Sequence, residues 1–170
     1  MSAGPVLEGR LVRLRPGDES DIAALMALFE DPTVLPWWKA HDESGVREHL
    51  DSTEEVGWVI EADGAVVGWI EAWEEDEADF RHGGIDIACV QGVHGTGVGP
   101  EAVTLARDWL MTAKEHHRVT IDPALSNRRA IAAYHKLGFR TVGVMRRYER
   151  SADGTWRDGL LMEFVAGIDD

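Results

Sequence analysis

The chain has 170 residues, 44% of them hydrophobic and seven of them tryptophan, which suffices for one domain with a sizeable core. Asp and Glu number 31 against 17 Lys and Arg, a formal net charge of −14. Neither nucleic-acid phosphates nor an anionic membrane surface is therefore an expected partner, whereas a cationic small molecule is drawn in by such a field. No apolar run approaches the roughly 18 residues of a membrane span, and residues 1–5 lack the basic and apolar regions of a signal peptide. With a single cysteine, Cys89, an internal disulfide is excluded, and a reducing cytoplasm is the expected location.

In chain order, residues 7–15 alternate apolar and polar if Gly9 and Arg10 are read as a slight irregularity, which predicts a first strand. Pro16-Gly17 ends it. Asp18, with Asp21 three residues on, reads as the cap of a helix carrying Ile22, Leu25, Met26 and Phe29 and ending near Asp31-Pro32. Leu35-Pro36-Trp37-Trp38 follows, then a short helix over 44–50. Strands are expected over 58–62 and 66–73 around the turn Asp63-Gly64, an acidic loop over 74–79, and a strand over 84–90. A glycine-rich turn at 92–99 opens a helix over 101–114. A short strand over 119–122, a helix over 127–137 with Gly138 as its cap, and two strands over 140–150 and 156–165 around Ala152-Asp153-Gly154 complete the chain. Strands and helices mixed in this order predict an α/β fold built on a mixed (α+β) sheet.

His94-Gly95-Thr96-Gly97-Val98-Gly99 lies between an expected strand and an expected helix. Glycines allow a tight turn and close approach to a ligand, and amides at the start of the next helix converge where an anion such as pyrophosphate is stabilised. Three glycines alone are a weak signal. No Gly-Lys-Ser/Thr follows, so this is not a P-loop, and Gly-x-Gly-x-Gly is not the dinucleotide fingerprint.

Farther on stands Asn127-Arg128-Arg129-Ala130-Ile131-Ala132-Ala133-Tyr134-His135-Lys136-Leu137-Gly138-Phe139. A strand, glycine turn, helix, short strand and then Asn-x-x-Ala-Ile-x-x-Tyr-x-x-x-Gly-Phe resembles the GNAT acetyltransferases over essentially the whole chain. Leu35-Pro36-Trp37-Trp38, Gly84-Ile85-Asp86 and Thr120-Ile121-Asp122-Pro123 look most like the aminoglycoside 6'-N-acetyltransferases. The resemblance implies a single GNAT-like domain over 1–170. Its central, mostly antiparallel sheet would be flanked by about four helices, with a splayed parallel pair at an acetyl-CoA site. The family usually has Arg or Gln where His94 stands, and Pro100 removes one N–H from the helix start.

Acetyl transfer needs a free amine, yet an ammonium of pKa about 10.4 is only about one part in 10³ deprotonated at pH 7. A carboxylate can take that proton. Asp86 alternates with Ile85 and Ile87 just upstream of the turn, and the resembled enzymes carry their base at this position; a strand-edge aspartate is the alternative. The resemblance makes Tyr134 the acid that protonates the departing thiolate, against a packed tyrosine beside Ile131 and Leu137. It assigns acetyl-CoA to Cys89, Val90, His94, Gly95, Thr96, Gly97, Val98, Gly99, Asn127, Ala130 and Tyr134, with an amide near Cys89-Val90 meeting the thioester oxygen. Cys89 falls with Ile85 and Ile87 by alternation and reads as core, not as a nucleophile.

For the acceptor, Glu71, Asp86, Asp122, Asp153 and the run Glu74, Glu75, Asp76, Glu77 and Asp79 could hold several ammonium groups, with Trp37, Trp38 and Trp73 as walls. One of Trp37 and Trp38 would serve equally in the core, the acidic loop equally as a solvated turn, and Asp153-Gly154 equally as hairpin chemistry. His116-His117 and the other histidines show no metal spacing, and no metal is expected. The expected activity is acetyl transfer to a primary amine of a cationic small molecule, foremost the 6'-amine of an aminoglycoside. A protein N-terminal amine, as in the ribosomal-protein acetyltransferases, and a non-catalytic acyl-CoA-binding domain are the alternatives. Monomer and homodimer both stay open.

Overall fold

The irregularity at Gly9 and Arg10 is a reversal of the chain. In the computed structural model, which describes residues 4–168, the strand expected over 7–15 is two antiparallel strands, β1 (Leu7–Glu8) and β2 (Arg13–Arg15), closed by Gly9 N donating to Val12 O at 2.8 Å. The cause lies far off in sequence. The turn amides of Arg10, Leu11 and Val12 donate to the Glu101 carboxylate at 3.1, 2.6 and 2.8 Å. A Cβ on Gly9 would stand 2.5 Å from Glu101 Oε2, so a side chain there would displace the carboxylate that the turn amides hold.

Asp18 caps a turn of 3₁₀ helix (Glu19–Asp21) with Asp21 as the reciprocal partner, as the spacing predicts, and α1 (Ile22–Glu30) continues from it. Asp21 is buried against Arg15 at 2.8 Å. Asp42 caps α2 (Glu43–Leu50) by accepting from Gly45 N. The strands β3 (Glu55–Ala62) and β4 (Ala65–Glu75) meet at Asp63-Gly64, whose φ angles of 51° and 77° suit a tight hairpin. β5 is His82–Cys89, and β4 runs farther than expected because Glu74 and Glu75 pair with Gly83 and His82. Two residues of the expected acidic loop, Glu74 and Glu75, are thus strand, with Glu74 paired to Lys114 at 2.5 Å and to His116 at 2.7 Å.

α3 (Val98–Thr112), β6 (Arg118–Ile121), α4 (Arg128–Lys136), β7 (Arg140–Arg150) and β8 (Trp156–Val165) follow. The eight strands form one sheet in the order β1-β2-β3-β4-β5-β6-β8-β7, antiparallel except for β5 with β6. Alternation sorts the sheet's side chains into two layers. Trp58, Ile60, Ile70 and Ile85 pack under α3 with Ala102, Ala106 and Leu110, while Val59, Trp69 and Ala88 pack under α1 and α2 with Leu25, Phe29 and Val46. Burying each large aliphatic side chain here stabilises the fold by about 1.5–3 kcal/mol. Among the described residues no helix is long and apolar enough to cross a membrane.

Candidate active site

β5 and β6 pair only at Gly83↔Val119 and Gly84↔Thr120. β6 ends at Ile121 while β5 continues to Cys89, so beyond Gly84 the two strands part. Val90 N donates to Val67 O at 2.9 Å. By the two-residue alternation of an antiparallel ladder, the N–H and C=O groups of Ile87 and Cys89 then face away from β4 into the gap. Trp38 Nε1 donates to Ile87 O at 3.2 Å, and His94 Nε2 lies 3.1 Å from Cys89 O.

Two cavities open from this gap, and both are lined by Trp37, Trp38, Ile87, Asn127 and Tyr134. The first holds about 540 Å³ and runs between the glycine turn and α4. Gly95 and Gly97 adopt φ of 76° and 92°, accessible to glycine without strain, and Gly97 opens α3 three residues earlier than the expected start. Cys89, His94, Gly95, Gly97, Gly99, Ala130 and Tyr134 line it with Asn127, which caps α4 through Ala130 N at 3.3 Å. Val90, Thr96 and Val98 do not: the Val90 amide is bound to Val67, the Thr96 hydroxyl to Val93 O, and Val98 is core. The His94 ring is turned back on the β5 carbonyl. Two cations on this wall were not foreseen, Arg129 and Lys136; neither stands three or four residues from Ala130 or Tyr134, so helical spacing from those two gave no signal for them. Burial pushes the Cys89 thiol up to about 12, and burial together with Cys89 and Asp86 raises the phenol of Tyr134 above its ordinary value.

The second cavity, about 650 Å³, holds the carboxylates. Two residues beyond Gly84 and Thr120, Asp86 and Asp122 face each other on one side of the parting strands. Asp86 is pushed up to about 7 by burial first, then by Asp122, Glu71 and Glu55, against a hydrogen bond from Trp73. Burial likewise raises Asp122, opposed by a hydrogen bond from Tyr148. Tyr148 is aimed there by a bulge in β7, where Arg147 takes φ 49° and its N–H donates to Asp158 at 2.8 Å. Glu71 pairs with Asp86 across β4 and β5. Its Oε2 accepts from Trp69 Nε1 at 2.8 Å and lies 3.1 Å from His49 Nδ1, which holds His49 above its usual range. Trp73 lies over Gly84, where a Cβ would come within 2.0 Å of the indole, so the glycine of Gly84-Ile85-Asp86 makes room for this wall.

Trp38 packs on Phe29 at 5.5 Å, and Trp37 lies 5.4 Å from the Arg157 guanidinium. Asp153 belongs to neither cavity. Its carboxylate accepts from Thr155 N and Oγ1 at 2.9 and 2.7 Å, so of its two expected roles the hairpin turn is the one realised. Tyr148, His41, Glu149 and Arg157 line the second cavity without having been foreseen. Among the described residues, His49, Glu55 and Glu71 bring potential metal-ligating atoms within 4.8 Å of one another, but Glu71 Oε2 is already shared between Trp69 and His49.

The chain is 25% identical over 158 residues to spermidine N(1)-acetyltransferase of Escherichia coli K12, covering 89% of this chain and 84% of that protein. It is 26% identical over 153 residues to aminoglycoside N(6')-acetyltransferase type 1 of Klebsiella pneumoniae, covering 79% and 76%. The structure of Mycobacterium smegmatis RimJ in complex with CoA-disulfide superposes with a TM-score of 0.79 at 28% identity, covering 96% of this chain and 86% of that one. The family profile described as acetyltransferase (GNAT) domain matches residues 11–140. That stretch takes in the parting strands, the glycine turn and α4, and it makes the chain a member of the GNAT acetyltransferase family.

Proposed function

We propose that the protein transfers an acetyl group from acetyl-CoA to a primary amine of a cationic small molecule, with the 6'-amine of an aminoglycoside as the leading acceptor. The observation that carries this reading is Asp86, a half-buried carboxyl pushed up to about 7 in an acidic cavity that meets the other cavity at Tyr134. A base whose pKa lies near the operating pH accepts a proton most effectively.

In this reading acetyl-CoA occupies the first cavity. Its pyrophosphate accepts from the amides at the start of α3, with Arg129 and Lys136 as countercharges. The thioester oxygen accepts from the Cys89 N–H in the gap, since the Val90 N–H is engaged by Val67. The acceptor enters the second cavity as an ammonium, held by Asp122 and Glu71. Asp86 takes one proton, and the freed amine attacks the thioester carbon to form the C–N bond. As the C–S bond breaks, Tyr134 gives its proton to the sulfur and the tyrosinate takes the second proton from the nitrogen, leaving CoA thiol, a neutral amide and Tyr134 restored. Burial keeps Tyr134 protonated and thus able to act as this acid, and it keeps Cys89 a thiol, which disfavours an acyl-cysteine step.

Glu71, Asp86 and Asp122 in one open cavity, beside a Glu149 already paired with Arg157, favour a polycation over a peptide N-terminus, and the spermidine and aminoglycoside acetyltransferase relatives point the same way. The likeness to RimJ keeps a protein N-terminal amine as the second reading. Thiol release from acetyl-CoA separates them, using paired aminoglycosides with a 6'-amine or a 6'-hydroxyl, spermidine, and peptides with free N-termini. Release with the 6'-amine compound alone is expected. Release with spermidine alone would replace the aminoglycoside, and release with peptides alone would overturn the small-molecule reading.

A further inference from the structure

Residues 31–38, between α1 and α2, cross the gap where β5 and β6 part. On one side Asp31 accepts from Gln91 N at 3.1 Å and Trp38 Nε1 donates to Ile87 O at 3.2 Å. On the other side, among the described residues, the hydrogen bonds to the β7–β8 hairpin are those of Arg157. Its guanidinium donates to two successive carbonyls, Pro36 O and Trp37 O, the latter at 3.0 Å, while lying 5.4 Å from the Trp37 ring. Glu149, paired with Arg157 in the strand register, accepts from it at 2.6 and 2.9 Å and fixes the plane of the fork. Arg157 lines only the second cavity, but Trp37 and Trp38, on the segment it holds, line both.

We propose that Arg157 is a positioning residue for acetyl-CoA, acting from the acceptor side by holding the partition of Trp37 and Trp38 that walls the cofactor cavity. The inference rests on the reading that this cavity takes acetyl-CoA. Arginine suits the task because its planar fork reaches two adjacent carbonyls at once, whereas a lysine ammonium is a single point of charge. With the fork removed, both carbonyls lose charged donors and the partition is free to move off the cofactor. Binding CoA must then re-order it, which lowers affinity without any lost contact to the cofactor itself.

The test is calorimetric titration of the full chain with CoA, using the wild type, Arg157→Ala and Arg157→Lys, with a melting curve for each. CoA binding to Arg157→Ala about ten-fold weaker than to wild type is expected, as befits loss of charge-assisted hydrogen bonds. Arg157→Lys keeps the charge and is expected to remain about three-fold weak. A purely structural role would lower the melting temperature and leave the affinity of the folded protein unchanged. Wild-type affinity in Arg157→Ala overturns the proposal, and so does full recovery in Arg157→Lys, which would reduce the effect to net charge. A wild-type protein that binds no CoA overturns the cofactor reading itself, and this inference with it.

Discussion

Asp86 and Asp122 stand opposite each other two residues past Gly84 and Thr120, the last pair that β5 and β6 form. The same parting that opens a channel between the strands therefore places two carboxylates at its edge. Asp122 is the first charge, after burial itself, that pushes Asp86 upward. Replacing it should act on chemistry as well as on binding. Asp122→Asn removes a like charge, so Asp86 ionises more readily and the acid limb of the pH–rate profile moves to lower pH. The Michaelis constant for the cationic acceptor rises at the same time. An unchanged acid limb would uncouple the two carboxylates.

A raised carboxyl is a cost to the folded state. Asp86 goes from an ordinary 3.8 to about 7, so the native chain binds its proton more tightly than the unfolded chain. The sign follows: stability is greatest below the unfolded value and is lost as pH rises through the folded one. The charged form costs up to about 4 kcal/mol above pH 7, an upper bound for a coupled group. Asp86→Asn is thus expected to melt higher than wild type at pH 8, with the difference shrinking toward pH 4. Thermal melts across that range check it, and a lower melting point at pH 8 would contradict it.

Tyr134 is half-buried and lines both cavities. Removing its hydroxyl leaves the ring's packing against the α3 layer, so Tyr134→Phe should bind CoA as wild type does. Its turnover should fall by about 10²- to 10⁴-fold, the range for a positioned general acid. Loss of CoA affinity with turnover intact would reassign the residue to packing.

Asp153 provides the contrast. It bonds Thr155 inside a hairpin turn and touches neither cavity. Asp153→Ala should leave both Michaelis constants within about two-fold and lower the melting temperature only slightly. A large rise in the acceptor's Michaelis constant would bring this carboxylate back into the site.

Local patterns were legible in the chain. The capping pair Asp18 and Asp21, the hairpin Asp63-Gly64, the glycine turn and Asn127 ahead of α4 each declare themselves through near neighbours, and each stands where expected. What escaped is what distant partners decide. The reversal at Gly9 depends on Glu101, some 90 positions away, and reads locally as a flaw in one strand. Tyr148 reaches Asp122 only because a bulge in β7 turns it, and a bulge leaves no periodic mark. Arg157 looks like one charge among several until the fold brings Pro36 and Trp37 beneath it. Asp153 read equally as a ligand or as hairpin chemistry, and the fold joins its carboxylate to its neighbour Thr155.

Whether Asp86 takes the proton from the acceptor is read from the pH dependence of acetyl transfer by wild type and Asp86→Asn. The wild-type kcat/KM is expected to rise with pH through an inflection near 7. In Asp86→Asn that inflection should vanish and the rate fall by at least about 10²-fold, with CoA binding retained. An asparagine variant that keeps both the rate and the inflection would contradict it, and the proton acceptor would have to be sought elsewhere in the cavity.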